Sequence, residues 1–99
     1  MEQAIVIDPR DDVAVAVVEL AAGTLCPVRV GERTRSVEIR ETIPFGHKFA
    51  LRHIQKGQPI LKYGEPIGVA TADIQQGAWV HTHNLVSERA KERIREVAR

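Results

Sequence analysis

The sequence predicts a mainly β fold of short strands, closed by one C-terminal helix. Three observations carry this. Apolar runs are short and are cut by clusters of Gly, Pro and Asp. An octapeptide recurs after 20 residues, at positions 53 and 73, with glycine in the same place. The last 13 residues, 87–99, contain neither Gly nor Pro.

Residues 4–7 form a short apolar run ended by Asp8-Pro9-Arg10-Asp11-Asp12. That cluster predicts a turn, because Pro presets φ and Asp bonds nearby backbone. Residues 13–20 are rich in Val and Ala, so both faces of a strand there would be apolar, as in a buried strand. Helix competes, since Ala and Leu are good helix formers, but four valines and the turn at Ala22-Gly23 favour strand. Residues 24–30 and 33–40 flank Gly31-Glu32 and read as a hairpin. In its second arm Val37 and Ile39 face one way, Glu38 and Arg40 the other. Ile43-Pro44-Phe45-Gly46 breaks the pattern and marks an internal boundary.

The repeat follows. His53-Ile54-Gln55-Lys56-Gly57-Gln58-Pro59-Ile60 aligns with Asp73-Ile74-Gln75-Gln76-Gly77-Ala78-Trp79-Val80. Each copy predicts a tight turn with φ > 0 at glycine, feeding a short strand. Between the copies, Lys62-Tyr63-Gly64-Glu65-Pro66-Ile67-Gly68 predicts another sharp turn. In the tail, Ala90, Ile94 and Val97 fall on one helical face and Ser87 can cap the first turn. The predicted organisation is a β domain over 1–86 and an amphipathic helix over 87–99.

Composition excludes several classes. The chain has 99 residues, 43% hydrophobic and 27% charged, with net charge +1. That fits one globular domain rather than a disordered chain, and the near-neutral charge argues against nucleic acid. No apolar run approaches the roughly 18 residues that cross a bilayer, and the N-terminus lacks signal-peptide features. The single Cys26 makes no internal disulfide and has no activating pattern around it. A cytoplasmic protein with a buried thiol is expected. A domain this small has little room for a deep pocket of its own, which favours a site shared with a partner.

His81-Thr82-His83-Asn84 is the sharpest local signal. On a strand, His81 and His83 would share a face and could ligate one metal or handle protons together. Two solvent-facing histidines at a strand end would look the same, and no third ligand is set by local spacing. His47 could act as acid, base or ligand and Lys48 could bind a carboxylate; an exposed polar loop is the plainer reading. Lys62 could recognise an anion, beside Tyr63 at a hairpin tip. Trp79, the only tryptophan, reads as a core anchor, and His53 as part of a turn.

The motifs residues 43–51, Lys62-Tyr63-Gly64, Ile67-Gly68 and Val80-His81-Thr82-His83-Asn84-Leu85, with Asp11-Asp12-Val13-Ala14-Val15-Ala16 upstream, occur in an order that resembles one family. It is that of the small subunit, or N-terminal domain, of altronate dehydratase, galactarate dehydratase and sulfolactate sulfo-lyase. The resemblance covers all but the final helix. It implies a SAF domain of β-clip fold that completes or caps the active site of a separate large subunit. In the related antifreeze-like domain of sialic acid synthases, the module caps a partner's site. The implied reaction is β-elimination of water from a sugar acid, giving a 2-keto-3-deoxy acid, with a divalent metal (Fe2+ or Mn2+) held mainly by the large chain. The resemblance implies catalytic roles for His47 and His83, substrate binding by Lys48, Lys62, Tyr63 and Asn84, and metal contact by His81 and His83. Loss of sulfite instead of water is one alternative. A free-standing carbohydrate- or anion-binding module, or a homo-oligomer, is another. All depend on the fold bringing His47-Lys48 and His81-Thr82-His83-Asn84 together.

Overall fold

In the computed structural model, residues 2–87 are described. They hold strands, turns and irregular backbone but no helix, so the mainly β class stands; the helix expected over 87–99 lies outside the described residues apart from Ser87. Among the described residues, no helix is long and apolar enough to cross a membrane.

Among the described residues nine short strands follow in order: β1 (Ala4–Ile5), β2 (Val13–Ala16), β3 (Leu25–Val30), β4 (Arg33–Glu38), β5 (Lys48–Ala50), β6 (Pro59–Lys62), β7 (Glu65–Ala70), β8 (Trp79–Val80) and β9 (Leu85–Val86). They pair antiparallel in three sheets, ordered β1-β2-β5-β8, β3-β4 and β6-β7-β9. The expected hairpin is β3-β4, with Val30 opposite Arg33 and Gly31 at φ +63° as the first of two turn residues. Val37 and Ile39 are both fully buried. The strand expected over 13–20 is shorter: the chain bends at Val17-Val18, and Leu20 pairs separately with Ile43.

The Val/Ala composition of β2 has a direct cause. The sheet holding β2 and β5 lies between two cores. Ala14, Ala16 and Phe49 pack with Leu20, Val28, Val37 and Ile43 on one side. Val13 and Ala50 pack with Ile54, Ile60, Ile74 and Val80 on the other. A strand buried on both faces needs apolar residues at consecutive positions rather than alternate ones.

Among the described residues the repeat occurs four times, not twice. Leu20-Ala21-Ala22-Gly23, Ile43-Pro44-Phe45-Gly46, Ile54-Gln55-Lys56-Gly57 and Ile74-Gln75-Gln76-Gly77 adopt one conformation. Each glycine has φ between +82° and +88°. In each, the residue after glycine donates its N–H to the carbonyl three residues back, at 3.0–3.3 Å. That is the hydrogen bond of a type II turn, which needs positive φ at its third residue. The copies then pair. Leu20 and Ile43 exchange two backbone hydrogen bonds, and so do Ile54 and Ile74. The stretch read as a boundary, residues 43–46, is thus one member of the repeat.

Asp11 and Asp12 are the buried acids of the described residues, each 3% exposed. Asp12 accepts from the backbone N–H of Leu61 at 2.8 Å and pairs with Nε of Arg52 at 2.9 Å. Asp11 accepts from the N–H of Gly64 at 2.9 Å. The two carboxylates therefore strap the β6-β7 hairpin, with Lys62 and Tyr63 at its end, onto the loop before β2. Buried carboxylates persist when backbone donors and a cation satisfy them.

Candidate functional site

The two ends of the repeat region meet. β5 pairs with β8 in a register that sets Lys48 opposite Val80 and Phe49 opposite Trp79. His47 immediately precedes β5, and His81 immediately follows β8, so the pairing delivers the two imidazoles to one place. Their ring centroids are 4.7 Å apart. The backbone carbonyl of His47 accepts from Ala16 N–H, which fixes this corner to β2.

Residues 81–84 form a turn rather than a strand, so the strand argument for a shared face of His81 and His83 is corrected. The chain reverses there because β9 must return to pair with β7. Both imidazoles nonetheless pack on one residue, Trp79. His81 stacks on the indole with an interplanar angle of 6° and centroids 5.3 Å apart. His83 meets it at 5.2 Å and 48°. His47 meets it at 5.5 Å, and the indole Nε1–H donates to His47 Nδ1 at 3.1 Å. Trp79 also packs against the first core, as a core anchor should. Its place at the centre of three histidines was missed in the sequence, where a lone Trp reads as a core anchor alone.

Asn84, 8% exposed, uses its amide inside the turn. Its Oδ1 accepts from His81 N–H at 2.9 Å and its Nδ2 donates to the Trp79 carbonyl at 2.8 Å. Asn84 therefore holds the backbone that carries His81 and His83. This is the local closure that lets Asn and Asp mimic a backbone turn.

Lys48 is partly buried on β5, and Lys62 ends β6 close enough to act on it electrostatically. Burial, then the charge of Lys62, lowers the pKa of Lys48 below the usual ammonium range. Lys62 places its ammonium 4.5 Å from the ring centroid of the exposed Tyr63. Tyr63 and Gly64 both have positive φ, at 57° and 73°, as a type I′ hairpin turn requires. Burial lowers the pKa of His81, and His47, Lys48 and His83 lower it further by charge. The charges that act on His81 are thus those of imidazoles and an ammonium. Such a cluster holds excess positive potential, and an anion would relieve it.

The sign can be checked by NMR. Burial first, and then positive neighbours, disfavour imidazolium, so His81 is expected to titrate below ordinary histidine. Lys48→Gln should raise its midpoint, and a bound carboxylate should raise it too. A midpoint unchanged by Lys48→Gln would remove Lys48 from the cluster.

The metal expectation meets a limit. Among the described residues, no group of three His, Cys, Asp or Glu is arranged to hold a metal ion. Zinc, iron and manganese sites need at least three protein ligands in most enzymes, so His81 and His83 do not make a centre by themselves. His53 and Cys26 lie apart from these roles: His53 is exposed, while Cys26 is fully buried with its thiol pKa raised by burial.

Comparison with known proteins gives a consistent set. Residues 2–88 match the family described as the altronate/galactarate dehydratase SAF domain. The chain is 48% identical over 82 residues to an altronate dehydratase of Escherichia coli (strain K12), covering 83% of this chain and 16% of that protein. It is 38% identical over 88 residues to the (2R)-sulfolactate sulfo-lyase subunit alpha of Chromohalobacter salexigens, covering 86% of this chain and 94% of that one. It is 37% identical over 82 residues to the galactarate dehydratase (L-threo-forming) of Escherichia coli (strain K12), covering 81% of this chain and 14% of that protein.

Proposed function

Because this chain belongs to the altronate/galactarate dehydratase SAF-domain family, we propose that it is the small subunit of a sugar-acid dehydratase, completing an active site whose catalytic bulk lies on a large partner chain. The observation that carries this is the gathering of His47, His81 and His83 around Trp79, with the charges of His47, Lys48 and His83 acting on His81 and that of Lys62 acting on Lys48. A sugar acid offers a carboxylate for such a surface and hydroxyls for its imidazoles. The split between two chains is supported by the relative named subunit alpha, whose length this chain covers to 94%.

In the proposed reaction a base of the assembled enzyme takes the C2 proton of an aldonate, the C3–OH bond breaks as the hydroxyl is protonated, water leaves, and the enol becomes a 2-keto-3-deoxy acid. Lys48 and Lys62 pair with the substrate carboxylate as point charges. His47 presents Nε2 to a substrate oxygen, since its Nδ1 is engaged by the indole. His83, exposed at the turn, hands a proton to the departing hydroxyl; positioned acid–base help is worth about 10²–10⁴-fold. Asn84 orients the turn and need not touch substrate. A divalent metal, where the assembled enzyme uses one, belongs mainly to the large chain, because this chain offers too few ligands among its described residues.

The test is reconstitution. The purified chain alone is expected to dehydrate no aldonate, and activity should appear with a large dehydratase-type chain. Turnover by the 99-residue chain alone would overturn the two-chain reading. Because the sulfo-lyase relative matches nearly end to end, sulfolactate is the second substrate to assay, with sulfite as the leaving group. Binding of sugar acids with no activity alongside any large chain would instead favour a non-catalytic module.

A further inference from the structure

The hydrogen bond between Trp79 and His47 decides which face of the imidazole chemistry reaches substrate. An indole Nε1 carries a hydrogen and no available lone pair, so it acts only as a donor. Its partner at 3.1 Å, His47 Nδ1, must therefore offer a lone pair. A neutral imidazole that accepts at Nδ1 carries its hydrogen at Nε2. The indole is itself held at both ends of its backbone unit. Trp79 N–H donates to Glu41 Oε2 at 3.2 Å, and its carbonyl accepts from Asn84 Nδ2 at 2.8 Å. His47 is held by Ala16 N–H and by the turn through Gly46. These contacts fix the two backbones, and a swing of either ring would break the indole–imidazole bond and a ring contact with His81.

We infer that Trp79 is a positioning residue that locks His47 in the Nε2–H tautomer, so that His47 meets the substrate as a hydrogen-bond donor and not as a base. This rests on the site reading above only for its kinetic consequence. The tautomer itself is a property of the chain alone. It also divides the histidines: His47 donates to an oxygen, while proton transfer falls to the exposed His83 or the stacked His81. His81 draws on the same indole, so the three side chains form one unit whose geometry is set from β8.

Trp79 is the only tryptophan, so the indole N–H gives one resolved signal in a 1H–15N spectrum of the full chain. That signal is expected to be protected from solvent exchange and to lose protection in His47→Ala. Long-range 1H–15N correlations on 15N-histidine protein should place the His47 hydrogen on Nε2. In Trp79→Phe, which keeps the ring and loses the donor, His47 should show both tautomers. With the large chain added, Trp79→Phe should lower kcat about tenfold with KM within about twofold, the mark of misorientation rather than lost binding. A hydrogen on Nδ1 of His47 in the unaltered chain overturns the inference, even if Trp79→Phe fails to fold. So does an indole signal indifferent to His47→Ala. If the tautomer is confirmed but His47→Ala turns over normally, the lock stands and the site role of His47 falls.

Discussion

His47→Ala is expected to slow the assembled enzyme by about 10²-fold, the loss typical of one positioned hydrogen-bond donor to a developing charge. The unfolding free energy of the chain should change by less than about 1 kcal/mol. The two effects separate because of where His47 sits. Its ring is half-buried and its backbone, not its side chain, bonds to β2. Removing the imidazole leaves the Trp79 indole N–H without its partner, but at a partly exposed site water can replace it. His83→Ala should cost at least about tenfold in turnover through loss of a proton carrier, again without unfolding, since the turn is closed by Asn84 and not by His83. Arg33→Ala, on the exposed arm of β4, is the matched control and should change neither quantity. Steady-state kinetics of the reconstituted enzyme, beside urea unfolding of the single chain, make the comparison. Wild-type turnover in both histidine variants would remove the site from this face.

What could be read from the sequence follows a physical divide. The β3-β4 hairpin was legible because a two-residue turn and strict alternation are local signals, and Val37 and Ile39 fell on the buried side as expected. The glycine turns at Gly57 and Gly77 were legible for the same reason. Two further copies, ending at Gly23 and Gly46, were not, because what unites the four is pairing at a distance. Leu20 finds Ile43 and Ile54 finds Ile74 through bonds that no local pattern encodes. The shortening of the strand at 13–20 has the same origin, since Leu20 leaves β2 to make that pair. In the site, the histidines and lysines were visible as residue types. Asn84 was named as a substrate contact and Asp11-Asp12 as part of a turn, but the partners that Asn84, Asp11, Asp12 and Trp79 find were not legible: two backbone groups of one turn, the N–H groups of Gly64 and Leu61, and an imidazole nitrogen. A polar residue that satisfies backbone looks in sequence like any turn or surface residue.

Gly77→Ala is expected to destabilise the chain by about 4 kcal/mol, against about 1 kcal/mol for Gly57→Ala, although the two glycines occupy equivalent places in the repeat. Both have the left-handed φ, +86° and +88°, and an L-residue there costs roughly 1–2 kcal/mol. At Gly57 that is the whole cost, because an added Cβ meets nothing within 4 Å. At Gly77 the added Cβ runs into the backbone carbonyl of Glu38, at the end of β4. Backbone cannot give way as a flexible side chain can. The close approach is built in, since Gly77 N–H donates to Ala50 O at 2.8 Å and Gly77 O accepts from Arg40 N–H at 3.1 Å. Relieving the collision therefore means breaking the contact between β4's exit and the turn that feeds β8. A loss of this size is a large part of the roughly 5–15 kcal/mol that holds a domain folded. It should also be felt at the site, because Trp79 follows Gly77 by two residues. Denaturant midpoints at constant slope give the energies, and near-ultraviolet circular dichroism of the single indole reports the displacement of β8. Equal losses at the two glycines would mean that turn conformation alone sets the cost and that the carbonyl of Glu38 moves freely. A selective loss at Gly77, with an altered indole signal, would tie the geometry of the three histidines to one backbone contact nearly 40 residues away in sequence, between residues 38 and 77.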